Sequence, residues 1–151
     1  MNLAGMEDAM ASTQSEVRGL LESWSEAARM KDIDRLMSLY SPDIVYFDVV
    51  PPLQYTGSAA VRENFLRWFE GFKSSIGQEI RDSHILTNGD LAAAYMVIRA
   101  SGTLKDGREV AYWVRATVFC KRSNHGWLIT HEHISLPFDF ERGSVAMDLV
   151  P

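Results

Sequence analysis

The sequence predicts an α+β domain in which three N-terminal helices pack on one face of a strongly curved antiparallel sheet. Two observations carry this expectation. As far as Phe72, apolar residues recur at helical spacing, whereas from Gln78 onward they fall in long runs suited to strands. Those runs are separated by Asn88-Gly89, Asp106-Gly107 and Asn124-His125-Gly126. Asn-Gly and Asp-Gly favour tight hairpins because both central turn positions need positive φ.

Taken in order, residues 1–12 carry little periodicity and are expected to form a flexible N-terminal arm. Thr13-Gln14-Ser15-Glu16 reads as a capping box, in which hydroxyl and carboxylate satisfy orphaned backbone donors reciprocally. Val17, Leu20, Leu21, Trp24 and Ala28 then form the buried stripe of a first helix. A second helix starts near Asp32, with Ile33, Leu36, Met37 and Tyr40 on one face, and Ser41-Pro42 stops it. Asp43 to Asp48 reads as a strand with Ile44, Tyr46 and Asp48 on a shared face. Pro51-Pro52 forces a loop, and Gly57-Ser58 opens a third helix with the stripe Val61, Phe65, Trp68, Phe69 and Phe72. Strands follow at Gln78–Leu86, Leu91–Leu104, Arg108–Lys121 and Trp127–Leu136. The folded domain is expected to span 13–137, with 138–151 a tail that covers the pocket mouth or a partner subunit.

Composition narrows the function classes. A chain of 151 residues with 46% hydrophobic content has the mass for one real core. Twenty acidic residues against 15 basic give a net charge of −5, which disfavours nucleic acid and anionic membrane surfaces as partners. The single cysteine, Cys120, forbids an intrachain disulfide. No apolar run approaches the roughly 20 residues needed to cross a bilayer, and no charged-then-apolar leader opens the chain. A cytoplasmic location is the expectation. No glycine-rich phosphate loop or other cofactor motif is present, so no cofactor is expected.

Tyr40-Ser41-Pro42-Asp43, leading to Tyr46-Phe47-Asp48, Pro51-Pro52 and Gly57, resembles the ketosteroid isomerase block of tyrosine, acidic turn, strand, aspartate, loop and glycine. Arg115-Ala116-Thr117, Trp127-Leu128-Ile129 and His131-Glu132-His133-Ile134-Ser135 resemble small SnoaL-like domains and the association domain of calcium/calmodulin-dependent kinase II. The similarity covers roughly Thr13 to Pro137 and is to the nuclear transport factor 2-like superfamily, in its SnoaL-like and ketosteroid isomerase-like branches. It implies a cone-shaped fold with a small-molecule pocket. It leaves the chemistry open, because fold does not imply function.

Within that resemblance Asp48 matches the general-base aspartate of the isomerases; read alone, it suits a cap for the Pro51-Pro52 loop at the end of a strand. The family's oxyanion tyrosine falls on Trp24, another member of its tyrosine network falls on Phe65, and only Tyr40 keeps a phenol. The acid that partners the tyrosine falls near Thr117. These departures argue against a true ketosteroid isomerase. If the registers follow the family, Trp113, Arg115, Thr117 and Phe119 face the cone interior with Thr130, Glu132 and Ile134. Arg115 and Glu132 would then be either substrate-orienting and acid–base groups or a self-neutralising ion pair.

His131 and His133 share the opposite side, expected to be a convex face buried in a homodimer together with Trp127, Ile129, Val114 and Val118. Two imidazoles without a third ligand do not make a metal site, so none is expected. The expected function is a SnoaL-like enzyme performing cofactor-independent proton transfer on an apolar carbonyl compound, of isomerase, dehydratase or cyclase type. Asp48, Arg115 and Glu132 are its catalytic candidates, and Trp24, Tyr40, Tyr46, Phe65, Trp113 and Thr117 its binding candidates. The alternative is a non-catalytic ligand-binding or oligomerisation module of the same fold.

Overall fold

Helix α1 runs from Leu3 to Met30 in the computed structural model, which describes residues 2–151. It begins far earlier than the sequence pattern suggests, capped by Asn2, whose side chain accepts from the Gly5 N–H at 2.8 Å. Residues 3–12 of the expected arm are therefore helical, Met1 lying outside the described residues, and the capping box is not used as a cap. Because the helix is already running at Thr13, its side chain is free for another task. Thr13 Oγ1 accepts from Arg122 Nη2, while Glu16 Oε2 accepts from Trp127 Nε1 at 2.7 Å and from Arg122 Nη1. The last two thirds of α1 bury Val17, Leu20, Leu21, Trp24, Ala27 and Ala28, a continuous stripe at helical spacing.

A short α2 (Ile33–Met37), capped by Asp32, turns the chain into strand β1 (Tyr40–Phe47). Pro42 thus lies inside a strand rather than at a helix stop. The ladder to the neighbouring strand breaks between Tyr40 and Val45, which accommodates a residue without an N–H. Strand β2 (Tyr55–Thr56) pairs back on β1, and α3 (Ser58–Glu70) buries Val61, Asn64, Phe65 and Phe69. The four long strands β3 (Gly77–Asn88), β4 (Leu91–Thr103), β5 (Glu109–Ser123) and β6 (Gly126–Ser135) form a meander. Its connections bear out the turn signals: Gly89, Gly107 and Gly126 all have positive φ.

The six-stranded sheet has the order β2-β1-β6-β5-β4-β3. It is mixed, because β1 lies parallel to β6, with Tyr46 opposite Glu132; the other neighbours are antiparallel. Irregularities between Arg81 and His84 in β3, with Asp82 at φ +52°, and in β6 across from Phe119/Cys120 bend the sheet. Helices α1 and α3 close over the concave face, whose buried residues include Ile85, Met96, Ile98, Ala100, Ala116, Val118, Ile129 and Ile134. The expected α+β cone is confirmed. After β6 a small hairpin of β7 (Phe138–Asp139) and β8 (Ser144–Val145) ties the tail to Pro137 through the Ala146 N–H.

The β6 irregularity decides which side chains reach the core. Cys120 pairs with Ile129 but Phe119 pairs with His131, so Thr130 is the extra residue. A single extra residue inverts the alternation. Trp127 and Ile129 point inward before the bulge, and Glu132 and Ile134 point inward after it. On β5 the inward residues are Val114, Ala116, Val118 and Cys120. The expected inward set Trp113, Arg115, Thr117 and Phe119 faces the other way, and Trp127, Ile129, Val114 and Val118 belong to the core rather than the convex face.

Candidate active site

A cavity of about 440 Å³ opens between α1, α3, the β1–β2 loop and the concave sheet. Its walls are largely apolar: Trp24, Phe65, Trp68, Ile98, Ala100, Val114 and Ile134. Polar groups enter it at few points, namely Asp48, Asn64, Tyr46, Tyr55, Tyr112, Gln78 and Arg67.

Asp48 follows β1 directly and lies on the same face as Ile44 and Tyr46, which places its carboxylate on the cavity wall. Its Oδ1 accepts from the Val49 N–H at 2.7 Å, and its Oδ2 accepts from Asn64 Nδ2 at 2.7 Å. Asn64 is buried on α3, where the inward stripe Val61, Asn64, Phe65, Trp68 carries one polar residue among apolar ones. The first contact is the turn-capping role that the sequence allowed. The second contact, from a buried amide on another element, fixes the carboxylate against the cavity. Tyr55 donates to the Pro51 carbonyl at 2.7 Å and so ties down the loop beside it.

Glu132 sits elsewhere. It is 2% exposed and does not line the cavity; it borders a separate void of about 10 Å³ behind Trp24 and Ile98, which line both spaces. Trp24 Nε1 donates to the Tyr40 hydroxyl at 2.6 Å, and that hydroxyl donates to Glu132 Oε1 at 2.9 Å. Glu132 Oε2 has no hydrogen-bond partner. Burial pushes the Glu132 carboxyl up to about 8; the Asp48 charge adds to the rise, and the phenols of Tyr40 and Tyr46 oppose it. Both phenols are held well above their ordinary value, first by burial and then by the Glu132 carboxylate. Burial thus favours the protonated, uncharged form of all three groups.

The expected residues therefore divide. Asp48, Trp24, Tyr46 and Phe65 line the cavity, and Tyr40 is buried behind it with Glu132. Arg115, Trp113 and Thr117 are on the outer sheet face. Arg115 is opposite Ser135 and donates to its Oγ at 3.0 Å, so no Arg115–Glu132 pair forms. Trp113 lies under the Arg81 guanidinium. The family register places Thr117 inward, but the alternation on β5 gives that side to Ala116 and Val118. His131 and His133 do share the outer side. Phe47 packs edge-on against both, and His131 Nδ1 is 2.7 Å from the Val45 carbonyl.

Five polar residues that the sequence reading passed over line the cavity: Tyr55, Asn64, Arg67, Gln78 and Tyr112. Asn64 was visible as a polar interruption of the α3 stripe. Tyr112 follows from the parity of Val114 and Ala116 once β5 is set correctly. Gln78 had no signal beyond its position two residues before Ile80.

Residues 17–139 match the family model described as SnoaL-like domain. No curated protein matches the chain. Among solved structures, the chain is 32% identical to a nuclear transport factor 2-like protein of unknown function from Pseudomonas putida, at TM-score 0.85 over 93% of this chain and 98% of that one. It is 19% identical to a protein from Streptomyces avermitilis described as a candidate dehydratase of the same superfamily, at TM-score 0.75 over 83% and 97%. It is 22% identical to a candidate aromatic ring hydroxylase from Novosphingobium aromaticivorans, at TM-score 0.75 over 83% and 89%. The last two likenesses establish the fold alone.

Proposed function

The chain belongs to the SnoaL-like family of the nuclear transport factor 2-like superfamily, and from that premise we propose that it is a cofactor-independent acid–base enzyme acting on a small apolar carbonyl compound. The single observation that carries this reading is the Asp48 carboxylate, held by Asn64 on the wall of an otherwise apolar cavity. A carboxylate so placed can take a proton from the carbon next to a ketone. The C–H electron pair becomes the C=C bond of an enolate, and the charge moves to oxygen. Where a C=C bond adjoins the acidic carbon, returning the proton to the far end of that bond shifts the double bond into conjugation and isomerises the substrate; where the β-carbon carries a hydroxyl, expelling it as hydroxide, protonated as it leaves, dehydrates the substrate. Neither route requires an oxidant or reductant. The Streptomyces avermitilis relative's description as a candidate dehydratase supports this class of chemistry.

A second reading, a ligand-binding or assembly module, is favoured by the outer sheet face. There Phe119, half exposed, stacks on His131 beside Phe47 and His133, and Tyr95, also half exposed, stacks on His84. This aromatic face is proposed as a homodimer surface, compatible with either reading. A cytoplasmic location belongs to the same proposal. Incubating the protein with 2-tetralone in deuterated water separates the two readings. Accelerated deuterium entry at the carbons beside the carbonyl is the expected result. Binding without exchange, across a panel of apolar ketones, overturns the enzyme in favour of the module.

A further inference from the structure

The concave sheet presents its side chains in rows that cross the strands. One row is Ile80, Ile98 and Val114, apolar throughout. The next is Gln78, Ala100 and Tyr112, and all three of its residues line the cavity. Strands lie about 4.8 Å apart, so Gln78 and Tyr112 stand about 10 Å apart at their backbones with only a methyl group between them. Their long side chains flank a notch whose floor is Ala100.

Both flanking groups have unused hydrogen-bonding capacity. The Gln78 amide is shut off from water, and neither its Nε2 nor its Oε1 has a partner. Buried polar groups are almost always paired, so an amide with both ends free asks for an explanation. The terminal torsion of glutamine is soft, so the amide can turn in place to aim Nε2 at a ligand over Ala100. The Tyr112 hydroxyl accepts from Trp68 Nε1 at 3.3 Å, which orients it and leaves its own proton free to donate. Burial, reinforced by the charge of Asp48, raises the Tyr112 phenol above its ordinary value, so it keeps that proton at neutral pH.

We propose that Gln78 Nε2 and the Tyr112 hydroxyl together grip the carbonyl oxygen of the ligand above Ala100 and stabilise the enolate oxygen when Asp48 removes the neighbouring proton. This rests on the acid–base reading above and deepens it. The pair supplies the two donors that Trp24 and Thr117 fail to supply, from β3 and from a position on β5 where the resemblance assigns none. It also defines the substrate class: an enolisable ketone on an apolar body small enough for the cavity, with its oxygen toward β3–β5 and its acidic carbon toward Asp48. Preorganised donors aimed at developing charge are worth more in a dry site than in water.

The test compares 2-tetralone with tetralin, its hydrocarbon counterpart. Binding is followed by quenching of Trp24 and Trp68, and the bound carbonyl by its infrared stretch. A purely apolar cavity would prefer tetralin. With the donor pair, the ketone binds at least as tightly as tetralin, and its carbonyl band lies below its position in alkane solution. Gln78→Leu and Tyr112→Phe each move the band back toward the alkane position and weaken ketone binding about fivefold, with tetralin binding unchanged. Tyr112→Phe removes only a hydroxyl and gives the readout even if Gln78→Leu fails to fold. A wild-type band at the alkane position, weaker binding of ketone than of tetralin, or a band indifferent to both substitutions overturns the donor pair. Loss of the acid–base reading looks different: an Asp48→Asn protein with full exchange activity overturns that reading while the band shift stays in place.

Discussion

The two inward carboxyl groups of this protein, Asp48 and Glu132, live in opposite circumstances. Asp48 is half-buried, faces the cavity and accepts from two neutral donors, the Val49 N–H and Asn64. Glu132 is sealed behind Trp24, accepts from the Tyr40 hydroxyl and keeps one oxygen unpartnered. The difference teaches where chemistry can happen. A base must reach the ligand, and only Asp48 does; a carboxyl without access serves the scaffold, and burial keeps its proton on.

The substitution with the largest expected effect attacks the accessible member. Asp48→Asn keeps the shape and both neighbours but removes the base, so kcat/KM for any substrate found falls by about 10²–10⁴, with the melting transition retained. Undiminished turnover in a steady-state assay would remove Asp48 from the mechanism.

The hidden member is broken next. Between its ordinary value of 4.5 and about 8, Glu132 keeps a proton in the folded chain that the unfolded chain gives up. Stability therefore declines as pH rises through that window. Glu132→Gln removes this dependence and gains on the order of 4 kcal/mol at pH 8, with little change near pH 4.5. Urea unfolding at the two pH values checks it; equal effects at both would mean that Glu132 is not held protonated.

A smaller effect sharpens the comparison from the donor side. Asn64→Leu strips Asp48 of one donor and should lower kcat/KM about tenfold while leaving ketone binding nearly intact. Smallest of all is Arg115→Gln. With its side chain on the outer face against Ser135, it should leave kcat/KM unchanged, and a large loss in the same assay would put Arg115 back in the site.

The asymmetry between the two carboxyls was only half legible in the sequence. The stripes of the first and third helices, the four meander strands and their glycine turns follow from spacing and turn chemistry and came out in place, except that Tyr40 begins β1 rather than ending the second helix and Phe72 lies beyond α3. Asp48 and Tyr46 share a cavity face because strand alternation over a few residues is robust. What failed was parity over longer distances. Thr130 carries no mark of a bulge, yet it inverts the facing along β6; on β5 the family register put Arg115, rather than Tyr112 and Val114, toward the interior. The parallel pairing of β1 with β6 joins residues some 90 positions apart, a contact that local pattern does not encode. The helical N-terminus was hidden because residues 3–12 lack a buried stripe: most of them are solvent-exposed, with only Gly5 partly covered.

Deuterium entry into 2-tetralone, timed side by side with the wild-type, Asp48→Asn and Glu132→Gln proteins, bears most directly on the division between the two carboxyls. The account predicts wild-type and Glu132→Gln rates of the same order, with the Asp48→Asn rate at background. Exchange that survives loss of Asp48 and disappears with Glu132 would contradict it.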